Sequence, residues 1–92
     1  MITAIVFIQA EVDQIPEVAE AIAALDGVSE VYSVTGGIDL IALIRVRQHE
    51  DIARVVADRL NKVPGVRDTE THIAFRAYSR LDLESAFSLG LD

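Results

Sequence analysis

Two segments of this chain are apolar on both sides when read as extended strands. In residues 1–9, Ile2, Ala4, Val6 and Ile8 alternate with Thr3, Ile5 and Phe7. In residues 38–47, Leu40, Ala42, Ile44 and Val46 alternate with Ile41 and Leu43. Successive side chains of a strand point to opposite faces, so a strand of this kind needs cover on both. It belongs in the middle of a sheet. Two other β-rich segments are more polar. Residues 28–35 carry Ser29, Glu30 and Ser33. Residues 66–78 alternate Thr69, Thr71, Ile73 and Phe75 with Asp68, Glu70, His72, Ala74 and Arg76. Such strands suit edges, where one flank meets water.

Between the strands lie two helical patterns. Ile15, Val18, Ala19, Ile22 and Leu25 follow the i, i+3, i+4, i+7 spacing of an amphipathic helix. Asp13 is placed to cap it, Pro16 is tolerated in a first turn, and Gly27 ends it. Ile52, Val55, Val56 and Leu60 form a second stripe that ends at Val63-Pro64-Gly65. The order is βαββαβ, and residues 22–35 and 57–71 repeat it loosely. Two interleaved right-handed βαβ units predict an α+β, ferredoxin-like sandwich with an antiparallel sheet of order 4-1-3-2. This domain is expected over residues 1–80. Residues 81–92 form a C-terminal extension whose Leu83, Ala86 and Phe87 fit one stripe of a short helix.

Two helices cover only one face of such a sheet. The other face is expected to expose Ile5, Phe7, Ile41 and Leu43 or their opposite-facing neighbours. An apolar patch of that kind predicts a homodimer joined through the sheet faces.

Charge and composition narrow the function. The chain has 92 residues, room for one domain. Its net charge is −7, and residues 1–44 carry seven acidic side chains with no Lys or Arg. That balance argues against direct nucleic-acid binding, since phosphates reward clustered Lys and Arg. Cysteine is absent, which removes disulfides, thiolate nucleophiles and cysteine-based metal sites. The N-terminus has no basic leader, and its apolar run is too short to span a membrane. The expectation is a cytoplasmic protein with no membrane association.

Catalytic candidates are few. His49 sits in Gln48-His49-Glu50-Asp51, a solvated helix start whose acids suit the helix dipole. His72 lies on an edge strand. No hydroxyl has a visible His–carboxylate arrangement, and no metal-binding spacing such as HExxH occurs. No catalytic residue, metal or cofactor is therefore assigned. The informative stretch is Thr35-Gly36-Gly37-Ile38-Asp39. Paired glycines let a ligand approach the backbone, and their amides can receive a carboxylate. Asp39 beside them can pair with an ammonium group. Those are the two halves of a free amino acid. The same residues equally describe a plain hairpin with a turn aspartate bonding its own backbone.

The stretches VYSVTGGID (31–39), LIALIRV and VPGVRDTETHI (63–73) resemble the effector-binding domain of the Lrp/AsnC family of feast/famine regulators, known as the RAM domain. The shared features are Gly36 to Asp39 as G-x-x-D, an apolar third strand, the Pro64-Gly65-Val66 turn and a threonine-bearing fourth strand. The resemblance covers about residues 1–79. It implies a ferredoxin-like fold, dimers through the sheet faces, and assembly into tetramers or octamers. It also implies an amino acid bound between dimers near the hairpin. By position the ligand-binding candidates are Thr35, Gly36, Gly37 and Asp39, then Tyr32, Thr69 and Thr71. Leu40 stands where the family often has an aromatic residue. The chain resembles the stand-alone type of the domain, without a helix-turn-helix, and full-length regulators of the family are expected as co-assembly partners.

Two alternatives share the topology. A dimeric α+β barrel enzyme needs a polar residue, often His or Asn, between sheet and helices, where this chain reads as aliphatic. An ACT-like regulatory domain uses a glycine in its first loop, and Ala10-Glu11-Val12-Asp13-Gln14 has none.

Overall fold

The structure is a computed structural model and describes residues 1–80. The expected C-terminal extension lies outside the described residues. Strands β1 (Ile2–Ala10), β2 (Val28–Ser33), β3 (Leu40–Val46) and β4 (Val66–Ile73) form one antiparallel sheet of order β2-β3-β1-β4. Read from the other edge, this is the expected 4-1-3-2. The doubly apolar strands are central, as their chemistry requires.

The helices cover one face. Ala4, Val6, Ile8 and Ala10 of β1 and Leu40, Ala42, Ile44 and Val46 of β3 are buried there. They meet Val18 and Ile22 of helix α1 (Ile15–Ala23), and Ile52, Val55 and Leu60 from the second helical segment. No charged or polar residue is buried among the described residues. The alternate side chains point the other way, onto an uncovered face. Register places Tyr32, Ile41, Phe7 and Glu70 in one row across it, and Glu30, Leu43, Ile5 and His72 in the next. The expected quartet of Ile5, Phe7, Ile41 and Leu43 therefore sits at the centre of this open face, each half-buried by its neighbours.

Several expected boundaries are corrected. Asp13 does not cap α1. It lies in a 3₁₀ turn (Val12–Gln14), and Gln14 takes the cap position without a side-chain bond. The second helical segment opens as α2 (His49–Ala53), widens into a π turn (Arg54–Arg59) and closes in a 3₁₀ turn (Leu60–Lys62). The wide turn, closed by i→i+5 hydrogen bonds, accompanies the burial of both Val55 and Leu60, five residues apart. Val56 is displaced from the expected stripe to its half-exposed rim. Strand β4 ends at Ile73 rather than at residue 78. Ile73 pairs with Ala4 and the Ala74 amide donates to the Thr3 carbonyl, but Phe75, which the register would set opposite Ile2 at the start of β1, leaves the sheet.

The Pro64-Gly65 turn carries a sharp local constraint. Gly65 has φ +96°, and a Cβ there would lie 2.6 Å from Cγ2 of the buried Val18. Gly65→Ala should destabilise the fold by about 2–4 kcal/mol, combining left-handed backbone strain with overpacking. Urea unfolding measures this, and a loss below 0.5 kcal/mol, roughly the value for an uncoupled surface change, would contradict the packing described.

Candidate functional site

The site is built where the β2–β3 connection bends over the end of β1. A tight two-residue Gly-Gly hairpin is not what forms. Residues 34–39 make a wider loop, closed by the Val34 amide donating to the Asp39 carbonyl at 3.1 Å. Three further bonds tie the loop to β1. The Asp39 amide donates to the Ile8 carbonyl at 3.0 Å. The Ala10 amide donates to Asp39 Oδ2 at 3.0 Å. Gln9 Nε2 donates to the Gly37 carbonyl at 3.2 Å. Asp39 is half-buried, while Thr35, Gly36 and Gly37 are exposed.

The two glycines differ. Gly36 has φ +107°, a conformation that side chains disfavour. Gly37 has no such backbone demand, and a Cβ at either position would meet nothing within 4 Å. Contacts within the chain thus do not explain the bareness of Gly37. The amides of Gly36 and Gly37 also have no hydrogen-bond partner among the described residues. Two donors and one anchored carboxylate lie within four residues of each other. Against the loop, a groove of about 130 Å³ is lined by Phe7, Gln9, Ile38, Asp68, Thr69 and Glu70.

Of the remaining candidates, Tyr32 and Thr71 do not converge on the loop, and Thr69 reaches it only as part of the wall of that groove. Tyr32 lies on the open face of edge strand β2, and its hydroxyl donates to the Glu30 carboxylate. That hydrogen bond, with the adjacent negative charge, raises the phenol above its ordinary pKa. The Thr69 side chain turns toward the helical side, where its hydroxyl donates to Asn61 Oδ1 at 2.8 Å. Thr69 pairs with Ile8, which pairs with Leu40, so Thr69 stands two strand spacings, roughly 10 Å, from the β3 end of the loop. Thr71 lines a separate apolar groove of about 300 Å³ beside Ile52, Val56 and Ile73. Of the two histidines, His49 is exposed at the start of α2. His72 contacts Glu70 at 2.7 Å and sets its ring edge-on to Phe7, with centroids 5.1 Å apart.

Gln9 is the contributor that sequence reasoning missed. It is a lone amide on the outward row of an otherwise apolar strand, and that was the available signal. No cluster of metal-ligating side chains occurs among the described residues, and none of their helices is long and apolar enough to cross a membrane.

The relatives of this chain agree with the fold. The model of the Lrp/AsnC ligand-binding domain matches residues 3–82. An uncharacterised HTH-type transcriptional regulator of Pyrococcus horikoshii, PH1916, is 44% identical over 59 residues, which are 64% of this chain and 39% of that protein. The chain thus spans about two-fifths of the length of that curated relative. The crystal structure of TTHA0845 from Thermus thermophilus superposes with a TM-score of 0.82 at 48% identity, covering 87% of this chain and 100% of that one. The transcriptional regulator NMB0573 of Neisseria meningitidis, solved as an L-Met complex, has a TM-score of 0.77 at 16% identity, covering 86% and 53%. It shows the same fold. With its βαββαβ sheet, its G-x-x-D loop and a domain match over nearly its whole length, the chain belongs to the Lrp/AsnC family.

Proposed function

We propose that this chain is a cytoplasmic effector-binding module that holds a free amino acid at the 35–39 loop, at a contact between dimers. One observation carries the proposal: amides at Gly36 and Gly37 without a partner among the described residues lie within four residues of a half-buried carboxylate that is already tied to Ala10. The amides would receive the α-carboxylate of the ligand. Asp39 would receive the ammonium through Oδ1, since Oδ2 is engaged by Ala10. A site on an exposed loop is only half a pocket, so a neighbouring dimer would close it. The dimer itself would form through the open face, and larger assemblies would be tetramers or octamers, with full-length relatives as further partners. The regulatory nature of the family and the methionine bound by the Neisseria protein support this. The aliphatic interior between sheet and helices favours binding over barrel-type catalysis.

Thermal denaturation against each of the twenty amino acids tests the proposal. Ligand at 100 times its dissociation constant should add about 2.7 kcal/mol of stability. It should also move the assembly equilibrium, because ligand and partner then bind together. A melting temperature unchanged by every amino acid would remove the amino-acid assignment.

A further inference from the structure

In flat projection the open sheet face is small beside the surface that a stable dimer buries. Four strands at about 4.8 Å spacing give a width of roughly 19 Å. Four rows of outward side chains extend about 27 Å along the strands, so the whole face presents roughly 500 Å² in plan. Stable interfaces bury about 800 Å² per partner. Moreover, the apolar quartet at its centre is already half-buried.

Further exposed apolar surface lies at the end of β4. Past Ile73 the chain leaves the sheet. Residues 74–80 carry two of the most exposed aromatic side chains, Phe75 at 105% and Tyr78 at 80% relative exposure. The root of this segment is fixed, because the Ala74 amide donates to the Thr3 carbonyl. It is fixed on the open side of the sheet. Ala74, Phe75 and Arg76 line a hollow of about 350 Å³ with Thr3, Ile5 and Arg45, which belong to the open face. The aromatic segment is thus continuous with the apolar quartet through Ile5. Charge suits the same arrangement. Arg76 rides on the segment, while Glu30, Asp68 and Glu70 stand along the edges of the open face.

We propose that residues 74–80 form an arm that clasps a second copy of this chain, with Phe75 and Tyr78 buried against the partner's sheet. This rests on the sheet-face dimer proposed above and adds a second contact to it. Aromatic side chains bury about 150–250 Å² each. Two of them add roughly 300–500 Å² of buried surface to the contact, a large share beside the roughly 800 Å² per partner of a standard interface. The arm also covers two large rings that the monomer leaves in water.

The experiment uses the full chain. Sedimentation equilibrium of the Phe75→Ala/Tyr78→Ala variant should show a dimer at least tenfold weaker than the natural protein, with unchanged far-UV circular dichroism. The chain has no tryptophan, so Phe75→Trp supplies a single reporter. Its emission should shift to the blue over the concentration range in which the dimer forms. A double variant that dimerises within twofold of the natural protein, together with a tryptophan whose emission ignores concentration, overturns the arm. If Ile41→Lys still abolishes that dimer, the sheet-face contact survives and only the arm is lost. A natural protein that stays monomeric at all concentrations removes both.

Discussion

Ile41→Lys is expected to make the protein monomeric without unfolding it. Ile41 sits at the centre of the open face, between Tyr32 on β2 and Phe7 on β1. In the isolated chain this position is only half-buried. A lysine there can lay its methylenes over the same neighbours and carry its ammonium into water. The loss of β-propensity costs up to about 1 kcal/mol. A dimer through this face removes the water. The two-fold symmetry of such a contact introduces the charge twice. The lysine's neighbours on the central strands of the face are Phe7, Ile5 and Leu43, which cannot accept a hydrogen bond, and the carboxylates of Glu30 and Glu70 on the same rows are engaged by Tyr32 and His72. An unpaired buried charge costs about 3–5 kcal/mol. At 1.4 kcal/mol per decade, that weakens association by two orders of magnitude or more. Sedimentation equilibrium and circular dichroism on one sample separate the two effects. A variant that remains dimeric would show that copies meet elsewhere, with edge-to-edge pairing as the next arrangement to test.

How much of this molecule could be read from its residues depends on how local each cause is. The sheet order could be read because covering both faces of a strand is a property of that strand alone. The segments around Ile5 and Ile41 belong in the middle wherever the rest of the chain goes. The end of β4 could not. Phe75 continues the alternation of Thr69, Thr71 and Ile73, yet it leaves the sheet at the last residue of β1 that could pair with it, Ile2, and nothing in the alternation marks that departure. Val56 fits an α-helical stripe, and only a π turn, stabilised by the burial of Val55 and Leu60, rotates it outward. The loop shows the same division. Gly36, Gly37 and Asp39 stand out as a chemically unusual string. That the Asp39 carboxylate reaches Ala10, twenty-nine positions earlier, is a product of the β1–β3 register. Thr69 and Thr71 share a strand with alternating polarity, but nothing in that strand indicates which face meets helices. Asn61 and the α2 groove decide it.

Asp39 ties the loop to Ala10 and is proposed to hold the ligand's ammonium, and two substitutions separate these roles. Asp39→Asn keeps an oxygen that can accept the Ala10 amide, so the loop should stay tied to β1. Folding stability should then change by less than about 1 kcal/mol, the net worth of an ordinary hydrogen bond. Ligand binding should suffer far more. With its oxygen facing Ala10, the asparagine turns its NH₂ toward the ligand, and two donors then face each other without an acceptor. Loss of the charge-assisted bond alone is worth about 1.5–3 kcal/mol, or roughly 10- to 150-fold in affinity. The amino-acid-induced stabilisation should therefore fall from about 2.7 kcal/mol to about 0.3–1.4 kcal/mol at 100 times the natural dissociation constant. Asp39→Ala removes the anchor as well. It leaves the Ala10 amide, part-buried at the end of β1, without its acceptor, a cost of about 1–3 kcal/mol. The expected pattern is thus two variants that both respond weakly to ligand but are unequal in stability. If asparagine at this position binds as tightly as aspartate, the carboxylate is a turn residue and the ligand's ammonium is held elsewhere. If asparagine destabilises the fold as much as alanine does, the bond to Ala10 depends on charge, and Asp39 serves the loop before it serves any ligand.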